Sequence, residues 1–303
     1  MKVLTLNIHS HGSDFDPAVY HRNMKALAAF MKERGIDAAA FQECSQEEEK
    51  PACPAGGNAL PMHYVPADPA QTVREDNCAL VLASELQAAG LDYYWTWTGA
   101  KLGYGKYNEG MAFFSRLPLR KAESFYISGI RDFSNWKTRK ALLAQTEAGS
   151  FCDVHMGWWN DPEENFRGQM ERLEETLREK GLCGTAPAGE AKDTENADVF
   201  LLGDFNSPAE IRGEGHDMLL NLGWHDTYEA AEKKDSGITV PGNIDGWRDG
   251  QHDGMRLDYI WSRKPCRVLS SEVVLNGLNG PVISDHFGVL ADIVILNNRS
   301  ISS

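Results

Sequence analysis

Carboxylate, amide and imidazole side chains recur at the ends of short apolar runs along the whole chain. These residues are Asn7, Glu43, His155, Asp204, Asn206, Asp258, Asp285 and His286. Strand ends hold side chains rigidly and leave them open to solvent, so active sites collect there. Carboxylate and amide oxygens suit hard cations, and imidazoles titrate near neutral pH. The set could therefore combine metal binding with acid–base chemistry.

Each of these residues, seen alone, has an ordinary structural explanation. An Asp or Asn after a strand is most often a turn former or a helix cap. Glu43 begins an acidic segment that could be a solvated face, and a lone His is usually a hydrogen-bonded surface or core residue. The combined order distinguishes the set: Asn, Gln-Glu, His, Gly-Asp-x-Asn, Asp-Tyr, Ser-Asp-His.

That order resembles the endonuclease/exonuclease/phosphatase superfamily, which has the DNase I-like fold. The most specific motifs are Gly203-Asp204-Phe205-Asn206 and Ser284-Asp285-His286-Phe287, with support from residues 109–116 and 256–259. The resemblance covers nearly the whole chain. It implies an α/β (α+β) fold, a four-layered α/β sandwich of two mostly antiparallel sheets flanked by helices. It also implies hydrolysis of phosphoric esters with Mg²⁺ or Mn²⁺.

The resemblance further implies a site for a hard cation. Glu43 is expected to be the main ligand, with Asn7 beside it and Asp285 contributing through water. Mg²⁺ keeps several waters, so one or two protein carboxylates suffice. The number of metal ions and the preferred metal stay open.

Catalytic roles follow from the same resemblance. Ester hydrolysis needs an in-line water, charge neutralisation on the phosphoryl oxygens and help for the leaving group. Asp204 is expected to activate the water and Asn206 to hold it or to donate to a phosphoryl oxygen. His286, paired with Asp258, would be a cationic donor, and His155 would protonate the leaving oxygen. Acid and base roles differ between superfamily members, so the role of each histidine stays open.

Residues 155–162, 243–249 and 279–286 are similar to one bacterial branch of the superfamily, which includes the maltose 6′-phosphate phosphatases. Aromatic faces can pack on sugar rings, and polar side chains can bind hydroxyls or phosphate. We therefore predict substrate contacts from Trp158, Trp159, Asp245, Trp247, Arg248 and Arg139. The alternative is that the tryptophans are packing residues, and some of the eight in the chain must be core.

Charge bears on the choice of substrate. The chain has 44 acidic and 30 basic side chains, a formal net charge of −14. A protein that binds long DNA through phosphate contacts is expected to show a basic face, so a small phosphorylated substrate is favoured over nucleic acid, and no membrane partner is expected. A DNA endonuclease or exonuclease remains the alternative, because the same metal centre cleaves phosphodiesters. The oligomeric state stays open.

The elements that must position these residues are short buried strands alternating with amphipathic helices. Helices are predicted near 17–34, 76–89, 166–180 and 215–222, and Gly99–Gly110 is predicted to be a mobile loop over the site. No linker separates two domains, so we predict one domain over residues 1–296 and a loose tail over 297–303. No signal peptide is recognisable, and the six cysteines form no C-x-x-C pair, so reduced thiols and a cytoplasmic location are expected.

Overall fold

The computed structural model describes residues 1–53, 63–183, 198–242 and 254–295. Within these ranges the strands, in chain order, are β1 (Lys2–Asn7), β2 (Ala38–Gln42), β3 (Gln46–Glu47), β4 (Tyr94–Gly103), β5 (Tyr107–Ser115), β6 (Lys121–Tyr126), β7 (Lys140–Gln145), β8 (Ser150–His155), β9 (Val199–Asp204), β10 (His225–Asp226), β11 (Asp258–Ser262), β12 (Arg267–Val274) and β13 (Gly288–Val294). The helices are α1 (Pro17–Arg34), α2 (Cys78–Ala88), α3 (Phe166–Glu179), α4 (Gly215–Asn221) and α5 (Thr227–Ala230).

The helix ends follow from local sequence chemistry. At the start of α1, the Asp16 side chain accepts a hydrogen bond from the backbone N–H of Ala18 at 2.8 Å, and Pro17 occupies the first turn. Gly35 ends the helix with a φ of 63°, a left-handed conformation that glycine adopts without a Cβ penalty. The predicted bounds of this helix are therefore confirmed.

The strands of the described chain form two sheets. The first has the order β12-β13-β1-β2-β5-β3, with β4 also paired to β5, and the second has the order β10-β11-β9-β8-β7-β6. Two pairs, β1–β2 and β8–β9, are parallel, and the other pairs are antiparallel. Each sheet thus has one parallel pair at its centre.

Successive strand side chains join apolar clusters on opposite faces, which places the two sheets face to face with helices outside. Side chains such as Val3, Ala40, Phe151 and Leu202 belong to one apolar cluster that both sheets supply. The opposite face of the first sheet packs with α1 and α2, and the opposite face of the second packs with α3. The four-layered α/β sandwich predicted from the sequence is confirmed.

One predicted element is wrong. The segment Gly99–Gly110 is not a mobile loop, since it forms most of the β4–β5 hairpin, in which Gly99 pairs with Gly110 and Lys101 with Glu109. A Cβ on Gly110 would lie 2.1 Å from the carbonyl oxygen of Thr98, so the glycines allow close strand approach. Gly99, Gly103 and Gly110 are therefore strand residues, and Gly105 lies in the turn between β4 and β5.

Other predictions have mixed outcomes. Trp95, Trp97, Trp224 and Trp261 are fully buried, so part of the tryptophan content is core, as expected. No helix in the described ranges is long and apolar enough to cross a membrane. The predicted tail, 297–303, lies outside the described residues, and the single domain stays a prediction.

Candidate active site

The topology brings the predicted site residues to one edge of the sandwich. In the parallel pairs, the carboxyl ends of neighbouring strands coincide, and Asn7 is in register with Gln42 and His155 with Asp204. The antiparallel neighbour of β9 begins at this edge, where Asp258 is in register with Asp204. The first sheet supplies one half of the site and the second sheet supplies the other.

Glu43 lies just past β2 with a left-handed φ of 51°. Its Oε1 accepts a hydrogen bond from Asn7 Nδ2 at 2.9 Å, and its Oε2 lies 2.9 Å from His9 Nδ1. Burial alone would raise the pKa of Glu43, but the hydrogen bond with His9 and the nearby His155 hold that pKa well below its usual range. The same hydrogen bond raises the pKa of His9 to about 9. Glu43 is therefore a carboxylate at neutral pH.

Asp204 ends β9 and is 1% exposed. Its Oδ2 lies 3.2 Å from Asn7 Nδ2 and 3.6 Å from His155 Nε2. Asn7 Nδ2 thus contacts both Glu43 and Asp204. Its Oδ1 accepts a hydrogen bond from the backbone N–H of Asn206 at 2.9 Å. Burial raises the pKa of Asp204 to about 7, opposed by His286 and reinforced by Asp258. A carboxyl group with this pKa can exchange a proton near neutral pH.

The two predicted histidines have opposite protonation tendencies. His286 Nδ1 lies 2.9 Å from Asp258 Oδ2. Although burial lowers the pKa of His286, the charges of Asp258 and Asp204 raise it to about 10, so this ring is cationic. Burial, together with the positive charges of Arg139 and Lys101, lowers the pKa of His155 well below its usual range. His155 is therefore neutral at neutral pH, and its assignment as proton donor stays a prediction.

Two buried cationic side chains face the same space. Lys101 is 7% exposed and Arg139 is 4% exposed. Lys101 Nζ lies 3.0 Å from Glu109 Oε1, and the same Glu109 oxygen lies 3.7 Å from His155 Nδ1. Burial lowers the pKa of both cations. Because Glu109 offsets the charge of Lys101, Arg139 is the less compensated of the two.

A cavity of about 260 Å³ joins these groups. Its wall includes the predicted Glu43, Arg139, His155, Trp158, Asp204, Asn206, Asp285 and His286, and adds His9, Lys101, Gly103, Tyr104, Glu109 and Trp136. Asn7 and Asp258 contact this wall through Glu43, Asp204 and His286. Asp285 is exposed at the cavity. The cavity volume suits a metabolite-sized ligand.

The predicted substrate residues divide into three groups. Trp158 and Arg139 line the cavity. Trp159 instead lies 5.8 Å from the ring of Phe166 and 4.9 Å from the guanidinium of Arg167, so it packs on α3 away from the cavity. The other three, Asp245, Trp247 and Arg248, lie outside the described residues.

The donor set suits a hard divalent cation. Glu43 is an ionised carboxylate open to the cavity, and Asp285 adds a second carboxylate there. Asn7 presents its amide nitrogen to Glu43, so ligation through its oxygen would require the amide to rotate. A second candidate group, Asp204, Asp258 and His286, has ligand atoms within 4.8 Å of one another. Because a hard cation prefers oxygen ligands to the imidazole nitrogen of His286, the carboxylates of Glu43 and Asp285 fit it better.

Sequence reasoning missed several residues of the cavity. Lys101 and Tyr104 lie in the segment predicted to be a loop, and Glu109, although part of a supporting motif, received no role. Lys101 and Glu109 meet only through the pairing of β4 with β5. His9 also received no role, because it lies outside the motifs named above. Trp136 belongs to no motif that the sequence analysis recognised. It is 48% exposed, and its ring centroid lies 5.4 Å from that of Trp158.

The chain is similar in sequence and structure to known proteins. The Endonuclease/Exonuclease/phosphatase family profile matches residues 4–286. An endonuclease/exonuclease/phosphatase family protein from Leptotrichia buccalis shares 28% identity, with a TM-score of 0.75 over 97% of this chain and 99% of that one. None of the curated proteins compared matches the chain.

Two more distant structures show the same fold. A mannosyl-6-phosphatase from Bacteroides thetaiotaomicron is 18% identical, with a TM-score of 0.62 over 97% of this chain and 99% of that one. TDP2 from C. elegans is 18% identical, with a TM-score of 0.56 over 96% of this chain and 73% of that one. Fold and site define a metal-dependent phosphoric ester hydrolase. The chain belongs to the Endonuclease/Exonuclease/phosphatase family.

Proposed function

We propose that this hydrolase is a Mg²⁺-dependent phosphomonoesterase that acts on a small phosphorylated metabolite such as a sugar phosphate. The observation that carries the proposal is Arg139. Its side chain is buried at the cavity, and among the described residues no carboxylate lies within ion-pair distance of it. A buried charge is normally paired or bound to a ligand, so Arg139 supports an anionic ligand.

The geometry of Arg139 supports a phosphate in particular. Its Nη1 donates hydrogen bonds to the carbonyl oxygens of Trp136 at 2.8 Å and Thr138 at 3.3 Å, which fix the plane of the guanidinium. Its Nε is buried without a hydrogen-bond partner among the described residues. A planar guanidinium forms paired hydrogen bonds with phosphate oxygens. A terminal phosphate can carry two negative charges and a diester only one, so this additional cation favours a monoester.

The other groups have complementary roles. Glu43, with Asn7 and Asp285, would hold Mg²⁺, which when bound supplies positive charge to a phosphoryl oxygen. Asp204 accepts a proton from the attacking water, since its pKa of about 7 lies near neutral pH. His286, held by Asp258, donates to a phosphoryl oxygen. The indole rings of Trp136 and Trp158 supply an apolar wall on which the organic part of the substrate can pack.

The test compares a panel of sugar phosphates with plasmid and abasic-site DNA, each with Mg²⁺ and with Glu43→Gln as the control for contaminating enzymes. We expect phosphate release from a sugar phosphate without DNA nicking. Arg139→Met should lower kcat/KM for the monoester by about 10- to 100-fold, from the loss of charge-assisted hydrogen bonds worth about 1.5–3 kcal/mol. Arg120→Met, which changes an exposed arginine, is the matched control. Nicking without phosphate release would overturn the proposal and make the protein a nuclease.

A further inference from the structure

A polar bridge crosses the apolar layer between the two sheets directly beneath the active site. Gln42 and Asp153 are both fully buried, on β2 of the first sheet and β8 of the second. Gln42 Nε2 donates a hydrogen bond to Asp153 Oδ1 at 2.5 Å. On the other side, Gln42 lies 3.2 Å from the hydroxyl of Thr5 in β1. The bridge therefore joins the central strands of both sheets.

On each side, the bridge lies within two residues of a group of the active site. Gln42 immediately precedes Glu43, and Asp153 lies two residues before His155 on the same face of β8. The active site is itself divided, since Glu43 follows a strand of the first sheet and Asp204 ends a strand of the second. The distance between these two acids thus depends on how the sheets are placed against each other.

Apolar contacts by themselves hold this placement weakly, and the cross-sheet contact at the site, from Asn7 Nδ2 to Asp204 Oδ2, is long at 3.2 Å. The layer around the bridge consists of side chains such as Ala40, Met111 and Leu202, and hydrophobic burial has no preferred direction. A short hydrogen bond between side chains on strands of the two sheets is directional. It resists the sliding of one sheet over the other, which apolar packing tolerates more readily.

We infer that Asp153 is a positioning residue, which through Gln42 fixes the catalytic groups of the second sheet against Glu43 of the first. Asp153 touches none of the reacting atoms in this arrangement. Burial raises the pKa of Asp153 well above its usual range, so the group is a neutral carboxylic acid that accepts from Gln42. An amide can take the same place, because its oxygen offers the same acceptor.

The test uses four variants: Asp153→Asn, Asp153→Leu, the double variant Gln42→Leu/Asp153→Leu, and the control Glu174→Leu. Glu174 is a buried carboxylate of α3 that accepts a hydrogen bond from Trp224 Nε1. This pair lies on the outer side of the second sheet, remote from the site. We would measure kcat, KM and the thermal unfolding midpoint. The substrate is whichever of p-nitrophenyl phosphate and bis(p-nitrophenyl) phosphate the wild type hydrolyses, so the outcome does not depend on the monoester preference.

Asp153→Asn should keep kcat within about 3-fold of wild type. Asp153→Leu should lower kcat by about 100-fold with KM changed less than 3-fold, the effect of a displacement of about 1 Å. The double variant removes both polar partners, so it should regain stability without regaining kcat. Glu174→Leu should lose stability and keep kcat. Wild-type kcat in the folded double variant would overturn the inference, and this holds even if Asp153→Leu does not fold.

Discussion

The close approach of β8 and β9 at Gly203 permits a quantitative prediction. Gly203 precedes Asp204 and is in register with Val154 in the parallel pair. Its φ is 138°, which side chains rarely adopt, and a Cβ there would lie 1.9 Å from the carbonyl oxygen of Val154. Ordinary van der Waals contact begins at 3.4 Å, so Gly203→Ala requires a separation of about 1.5 Å between backbones.

The expected effects follow from that displacement. Unfavourable backbone geometry at one residue costs about 1–3 kcal/mol, which in a chain of 303 residues lowers Tm by roughly 2–5 °C. The two residues that must separate, Gly203 and Val154, directly precede Asp204 and His155, and a misplacement of about 1 Å can reduce the rate about 100-fold. We therefore expect kcat to fall about 100-fold, out of proportion to the loss of stability.

Gly223→Ala provides the control for backbone strain. Gly223 has a φ of 85°, and a Cβ there would meet nothing within 4 Å. It lies just after α4, so its strain should lower Tm without lowering kcat. The assay is steady-state hydrolysis with excess Mg²⁺, alongside thermal unfolding of both variants. If Gly203→Ala keeps kcat within about 3-fold of Gly223→Ala, the reasoning from the Cβ collision is refuted.

Two further predictions concern metal and pH. Chelation with EDTA should abolish hydrolysis, and added Mg²⁺ should restore it. Mg²⁺ should also raise the Tm of the wild type, and a Tm rise of equal size in Glu43→Gln would contradict Glu43 as the ligand. Ionisation of Asp153 opposes folding, because burial raises its pKa. The stability that the protonated form of Asp153 contributes is fully present below the unfolded-state pKa of about 3.9 and is lost as pH rises through the folded-state pKa. The urea midpoint of Asp153→Asn minus that of the wild type should therefore increase as pH rises. A difference that does not change with pH would exclude ionisation of Asp153 as its cause.

The sequence allowed much of the fold to be predicted, because strong local signals coincide with the elements. Asp16, Pro17 and Gly35 mark both ends of α1, and apolar runs mark the buried strands. The Gly-Asp-x-Asn and Ser-Asp-His motifs identified residues that the structure brings together at one edge. These signals are local, so no knowledge of pairing was needed to find them.

Features that depend on pairing between distant segments were not predicted. Lys101 and Glu109 meet only because β4 and β5 form a hairpin, and their glycines suggested a loop instead. The Asp153–Gln42 bridge joins residues 111 positions apart. Trp159 follows Trp158 directly, yet only Trp158 reaches the cavity, since the chain turns towards α3 between them. A single sequence contains no direct signal for such contacts.

The backbone of the site has a consequence for how the protein can change under selection. Of the six non-glycine residues with positive φ in the described chain, four line the cavity: His9, Glu43, Tyr104 and Asn206. Each such conformation costs about 1–3 kcal/mol. A screen for expression or heat resistance alone would therefore favour glycine at those of the four positions where the relieved strain exceeds the lost side-chain contacts. The variants it recovered would be more stable and catalytically impaired, so a search for a robust form of this enzyme has to select for turnover at every round.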